Sequence, residues 1–164
     1  MRMIPTLLAL TLSAVPAMSD EASDRATTLA FITENQIDSN LYNLLAATIP
    51  STQPGQAMYE ACGPKVLEDL FENAYTHVRK TMGEVWRGAL ADVYSRHVSV
   101  DEMKELTTLP QSERMTAISQ RMTRDEVVAD LQGSLTPLVE EATARQVNHM
   151  LDEAETLCLV GEQQ

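Results

Sequence analysis

Apolar residues in this chain recur at three- and four-residue spacing, and strict alternation with polar residues does not persist over any useful length. The first pattern marks helices with one buried face; the second would have marked strands. Leu29, Phe31 and Ile32 predict a first helix starting near Ser23 or Asp24, and Leu41, Leu44, Leu45 and Ile49 a second from about Asp38 or Ser39. Pro50-Ser51-Thr52-Gln53-Pro54-Gly55 predicts a loop. A short helix through Met58 and Tyr59 is expected to end near Gly63, with Pro64 in the first turn of the next. That helix carries Val66, Leu67, Leu70, Phe71, Val78 and Met82. Arg79 and Lys80 ahead of Gly83 give it a stop signal, set against continuation through Val85, Trp86, Leu90, Val93 and Tyr94.

Further on, Leu106 and Leu109 fall in a helix that Pro110 ends or renews, and Met115, Ile118 and Met122 continue the pattern. From Val127 to Cys158 the spacing predicts one long amphipathic helix, kinked or interrupted at Gly133 and Pro137. The expected fold is therefore all-α: a single bundle-like domain of about six helices over residues 20–164.

Two stretches are rich in acids for a local reason. In Val98-Ser99-Val100-Asp101-Glu102-Met103, Ser99 is an N-cap and Glu102 stands three residues on, which is a capping box. Val98 and Met103 flank it as a hydrophobic staple, and the two acids sit at the positive end of the helix dipole. Met122-Thr123-Arg124-Asp125-Glu126-Val127 repeats that order, so Thr123 and Glu126 are expected to cap the next helix.

The first residues change the picture of where this chain works. Arg2 precedes an apolar run from Ile4 to Val15, and Val15-Pro16-Ala17 or Ala17-Met18-Ser19 fits a small-x-small cleavage site. The run is shorter than the roughly 20 residues a bilayer span needs. Residues 1–19 are read as a cleaved secretory signal, which places the mature chain in the periplasm or outside the cell, with no stable membrane anchor. Without Arg2, 11 basic residues face 24 acidic ones, a net charge of −13. Such a surface repels nucleic acid and anionic headgroups. The two cysteines, Cys62 and Cys158, are expected to pair under oxidising conditions. Cys62-Gly63-Pro64-Lys65 has lysine where a dithiol motif has its second cysteine, so that exchange chemistry is unavailable.

Site chemistry is sparse. His77, His97 and His149 have no second histidine or cysteine at ligand spacing, and no metal site or cofactor is implied. Met58, Met82, Met103, Met115, Met122 and Met150 fall within apolar patterns and read as core packing. No nucleophile elbow, phosphate-cradling glycine loop or histidine–glutamate metalloprotease motif is found, so no catalytic residue is assigned.

Trp86 to Met115, WRGALADVYSRHVSVDEMKELTTLPQSERM, resembles the exported bacterial family called domain of unknown function 2059. That family's pattern runs from a tyrosine to an aromatic-Thr-x-x-Glu-Leu helix start and then a Ser-Pro-x-Gly-Gln-Lys turn. Tyr94, Ser99, Glu102 and Met103 match the first part in kind, and Pro110-Gln111-Ser112-Glu113-Arg114 resembles a degraded form of the second. Val98 replaces the aromatic, a Phe-Tyr pair before the proline is missing, and Gly-Gln-Lys is Ser-Glu-Arg. The resemblance covers about a fifth of the chain; it implies an exported all-helical domain and brings no catalytic residues. Trp86, Tyr94 and His97 are its candidate interaction surface.

Together these features point to a non-enzymatic binding or interaction protein of the cell envelope with an unknown protein or peptide partner, a homo-oligomer being left open. The alternatives are an enzyme with an unsignalled site and a metal carrier using methionine and histidine. N-terminal sequencing of protein from the native host should begin at Met18 or Asp20; an intact Met1 would sink the export reading.

Overall fold

The longest helix pairs antiparallel with the second longest, and the other elements pack around that pair. The computed structural model describes residues 17–159. In chain order the helices are α1 (Ala17–Glu34), α2 (Asn40–Thr48), α3 (Gln53–His97), α4 (Val100–Thr107), α5 (Gln111–Met122) and α6 (Asp125–Ala154). Short 3-10 turns at Ile37–Ser39 and Ile49–Ser51 join α1 to α2 and α2 to α3, and a π turn, Glu155–Leu159, follows α6. The described residues contain no strand. The described residues form an all-α domain, with six helices around one core. Residues 1–16 of the expected leader lie outside the described residues, and α1 starts at Ala17, earlier than the expected Ser23 or Asp24.

α3 buries Leu70, Ala74, Val78, Met82, Trp86, Leu90 and Tyr94. These are spaced by four, and at 3.6 residues per turn such a series drifts roughly 40° at each step. The stripe therefore winds around the helix and can serve two neighbours, α6 and α1, in turn. This is why the stop signal at Gly83 is not obeyed. A mid-helix glycine costs about 1 kcal/mol, whereas burying a side chain the size of Met82 or Leu90 stabilises by about 1.5–3 kcal/mol.

The expected break near Gly63 is present. Gly63 has φ 77° and ψ 168°, a region essentially closed to other residues, and Pro64 restarts the helix. The expected loop at 50–55 is tighter than predicted: Thr52 caps α3, its hydroxyl accepting from the Gly55 N–H at 3.1 Å, and Pro54 already lies in the first turn. A Cβ at residue 55 would collide with the Ile49 carbonyl oxygen, so only glycine lets the two turns approach this closely. In α6 the helix continues through both Gly133 and Pro137. Both are exposed, so the hydrogen bond proline removes lies on the solvent side while Leu135 and Ala142 keep the buried register.

Cys62 and Cys158 form a disulfide with Cα atoms 5.3 Å apart, joining the break in α3 to the turn after α6. It closes a separation of 96 residues, for which chain entropy allows at most about 4–5 kcal/mol. Met58, Met82, Met103 and Met150 are core residues, as read from the pattern, while Met115 is exposed.

The two capping sequences part company. At α4 the box is complete: the Ser99 hydroxyl accepts from the Glu102 N–H at 3.3 Å, and Glu102 Oε2 accepts from the Ser99 N–H at 2.9 Å. Val98 and Met103 are both buried beside it. At α6 the expectation of caps at Thr123 and Glu126 is corrected. Thr123 closes α5 instead, its hydroxyl donating back to the Ser119 carbonyl at 3.0 Å, and its φ/ψ of −94°/4° is not the extended conformation an N-cap needs. Arg124 occupies the cap position with no side-chain bond, and Glu126 acts only through its place in the first turn.

Ser99→Ala should cost about 1 kcal/mol in denaturant melts, the usual loss for a missing N-cap. Glu102→Gln keeps the box but loses the charge contact of Glu102 Oε1 with Arg121, 3.2 Å away, and should cost less. Hydrogen bonds from the Ser99 N–H and hydroxyl hold the Glu102 carboxyl below its ordinary value of 4.5. Its contribution is thus complete above that pH and fades as the pH falls through the lowered folded value. Neutral melts for both variants would remove the cap from the account.

Candidate functional site

Three residues turn the end of α1 back toward α3. Asn35 is buried and its amide donates to the Phe31 carbonyl at 2.7 Å. Gln36 then adopts the left-handed region at φ 54°, ψ 30°, uncommon for a residue with a side chain. Asp38 accepts from Arg87 Nε at 2.9 Å, and the Trp86 indole N–H donates to Asn40 Oδ1 at 3.1 Å. These last two bonds pin the α1–α2 turn to α3 at one level. Beside them a trough of about 710 Å³ remains, walled by Thr33, Gln36 and Tyr42 on one side and by Tyr75, Arg79, Lys80 and Glu84 on the other.

The α3 wall is itself a four-residue series: Tyr75, Arg79, Gly83 and Arg87, one position on from the buried stripe. Gly83 contributes no side chain to the floor, and the nearest atom to a Cβ built there would be Arg79 Cγ at 3.9 Å. A second trough of about 660 Å³ between α1 and α3 shares Thr33, Glu84 and Arg87 with the first and carries it on toward Arg25 and Gly88.

At the other end the trough meets aromatic rings. Tyr42 packs edge-on against Tyr75, with centroids 4.9 Å apart, and against Phe71 at 5.3 Å. The Tyr42 hydroxyl donates to Glu72 at 2.5 Å, which raises its pKa above the ordinary phenol value and fixes the ring. Burial raises Tyr75 as well, partly opposed by the Arg79 guanidinium. In a chain with net charge −12, this wall presents two cations, Arg79 and Lys80. Among the described residues neither has a carboxylate partner, whereas Arg87 is held by Asp38.

The surface expected from sequence, Trp86, Tyr94 and His97, is corrected. Trp86 is 2% exposed and lies under the trough, and Tyr94 is 5% exposed. Burial pushes the Tyr94 phenol up to about 12. Both are apolar-bodied side chains on the winding stripe, and their burial stabilises α3 against its neighbours. His97 is half-buried and its Nε2 lies 2.8 Å from Asp130 Oδ2.

Asp130 gathers three partners. Arg96 donates to both its oxygens at 2.9 Å, and Ser134 donates at 3.3 Å. Serine, histidine and aspartate are all present, but the Ser134 hydroxyl bonds to Asp130 and Arg96, not to His97. A nucleophile needs its base within hydrogen-bond reach, so this cluster joins the end of α3 to α6 without activating the serine. Arg96, then His97, hold the Asp130 carboxyl far below the ordinary carboxylate range. Midway along the same helices His77 and His149 stack, with centroids 4.8 Å apart. Among the described residues no three His, Cys, Asp or Glu side chains converge to hold a metal ion. Arg114, in the first turn of α5, donates to Asn35 Oδ1 and to the Thr107 and Leu109 carbonyls, each at 3.0 Å, and so ties α5 to the ends of α1 and α4.

No family model, curated protein or solved structure matches the chain. The trough was missed from sequence because Arg79 and Lys80 before Gly83 also spell a helix end. The signal that could have revealed it was the tyrosine-arginine-glycine-arginine series at four-residue spacing.

Asp130→Asn should lower the melting temperature near neutral pH. Because the folded carboxyl is held below its unfolded value of 3.8, the contribution is complete above that pH and is lost on further acidification. The gap between wild type and variant should therefore close in melts run from neutral pH downward. A gap that is absent at neutral pH, or constant with pH, would contradict the clamp.

Proposed function

We propose that this chain is a non-enzymatic binding protein of the bacterial cell envelope, periplasmic or secreted, and that the trough between the α1–α2 turn and α3 is its binding site. The observation that carries the reading is the pair Arg79 and Lys80, without carboxylate partners among the described residues, on the wall of a trough that ends in fixed aromatic rings. Lys65 and Arg124 are likewise exposed without a carboxylate partner; Arg79 and Lys80 differ in lining a trough, where a ligand can meet both at once. The Cys62–Cys158 disulfide suits an oxidising compartment. Among the described residues no helix is long and apolar enough to cross a membrane, which agrees with a domain that carries no spanning anchor there. The segment Trp86–Met115 is proposed as a divergent example of domain of unknown function 2059, its Pro110 stretch serving here to start α5 and so to place Arg114.

Hydrogen exchange in the presence of a detergent-free envelope extract tests the reading. Protection should appear at residues 33–42 and 75–88 and should vanish in the Arg79→Glu, Lys80→Glu double variant, whose changes lie on exposed positions. Unchanged exchange in both segments of the wild type would overturn it.

A further inference from the structure

The dimensions and charge of the trough narrow the ligand, on the reading that the trough is the binding site. Its α3 wall runs from Tyr75 to Gly88. At 1.5 Å per residue that is roughly 20 Å, the length of about six residues of extended chain at 3.3 Å each. The trough is open along this length, whereas sites for small molecules enclose most of the ligand. A linear ligand suits this shape, because it can leave one edge in water.

Charge then selects among linear ligands. Arg79 and Lys80 call for anionic groups about a third of the way along from the Tyr75 end. Glu34, Glu84 and Asp38 line the same walls, and the chain as a whole carries −12. A polyanion such as nucleic acid would meet repulsion on both sides of the two cations. A chain with only one or two carboxylates can seat them on the two cations and leave the rest of its length uncharged beside the acids. The aromatic end adds a second requirement. The Tyr42 ring is held by Glu72 and by its edge-on contact with Tyr75, and a fixed ring offers apolar contact at little entropic cost. Gln36 is an exposed lining residue of the same trough. Its backbone is left-handed, its side-chain amide makes no hydrogen bond among the described residues, and an amide can both donate to and accept from a peptide backbone. Strained backbone of this kind clusters where binding needs it.

We infer that the trough binds an extended peptide segment of about six residues, carrying two carboxylates for Arg79 and Lys80 and an apolar or aromatic side chain for the Tyr42–Tyr75 end. Affinity comes from a few polar contacts along the peptide and one apolar anchor, so partners differing elsewhere in sequence are accepted.

Fluorescence anisotropy with arrayed, end-capped hexapeptides tests this. The peptides carry two aspartates at alternate positions and an apolar residue at one end; matched sets have asparagine or lysine in place of aspartate. The aspartate set should bind about three- to tenfold more tightly than the asparagine set, the scale expected for two exposed ion pairs. The Arg79→Glu, Lys80→Glu variant should lose that preference and gain one for the lysine set, a reversal that misfolding cannot produce. Gln36→Ala should weaken all peptides together. Equal binding of the aspartate and asparagine sets, or an unchanged preference in the charge-reversed variant, would overturn the inference. If no peptide binds while envelope extract still protects residues 75–88, the peptide class is wrong and the trough remains the site. If the extract gives no protection either, both readings fall.

Discussion

The antiparallel pairing of α3 with α6 is the constraint on which the rest of the structure depends. It is fastened at points spread along its length. The Cys62–Cys158 disulfide closes one end, and Asp130 receives Arg96 and His97 at the other. Between them Gln146, fully buried on α6, donates to the Phe71 carbonyl at 3.2 Å, and His77 stacks on His149. The apolar burial between these points supplies most of the stabilisation, being proportional to area. The polar fastenings fix register, because each would be left unsatisfied by a slip of one turn.

Once α3 is held in this way, its winding stripe decides what can cover it. α6 and the turn after it run along α3 from Cys62 to His97, and α1 packs on it as well, reaching it through Arg25 and Asp92. α1 cannot continue past this contact without leaving the core, so the chain reverses at Asn35–Gln36 and packs α2 alongside. The trough follows from that reversal. The turn is attached to α3 through Asp38–Arg87 and Asn40–Trp86, but beside these bonds the two walls are separated, and Gly83 offers nothing to fill the space. The residues that line it are therefore by-products of register on α3, one position on from the core, and their chemistry is free to serve recognition.

The two capping sequences show how far local grammar reaches. Both place a hydroxyl residue three positions before an acid. At Ser99 the backbone is extended at φ −68°, ψ 156°, since Val98 must leave α3 and enter the core, so the hydroxyl meets the first free N–H groups. At Thr123 the preceding helix still has unsatisfied carbonyls within reach, and the hydroxyl turns back to them. The same side chain thus caps the start of one helix or closes the end of another according to the backbone it inherits.

Local sequence by itself determined the all-helical class, the break at Gly63 with Pro64 behind it, the Ser99–Glu102 cap and the pairing of the only two cysteines. Each rests on atoms within a turn of one another, on conformations open to few residues, or on a choice with a single partner. Tertiary structure decided the rest. It carried α3 through Gly83 because burial on both sides outweighs one glycine, it ran α6 through Pro137 because the lost bond faces water, and it buried Trp86 and Tyr94. It also decided that Arg79 and Lys80 face a trough and not a carboxylate. Which residue stands opposite a side chain depends on the angle at which distant helices cross, and that is set by the summed burial of the core, which no short stretch of this chain contains.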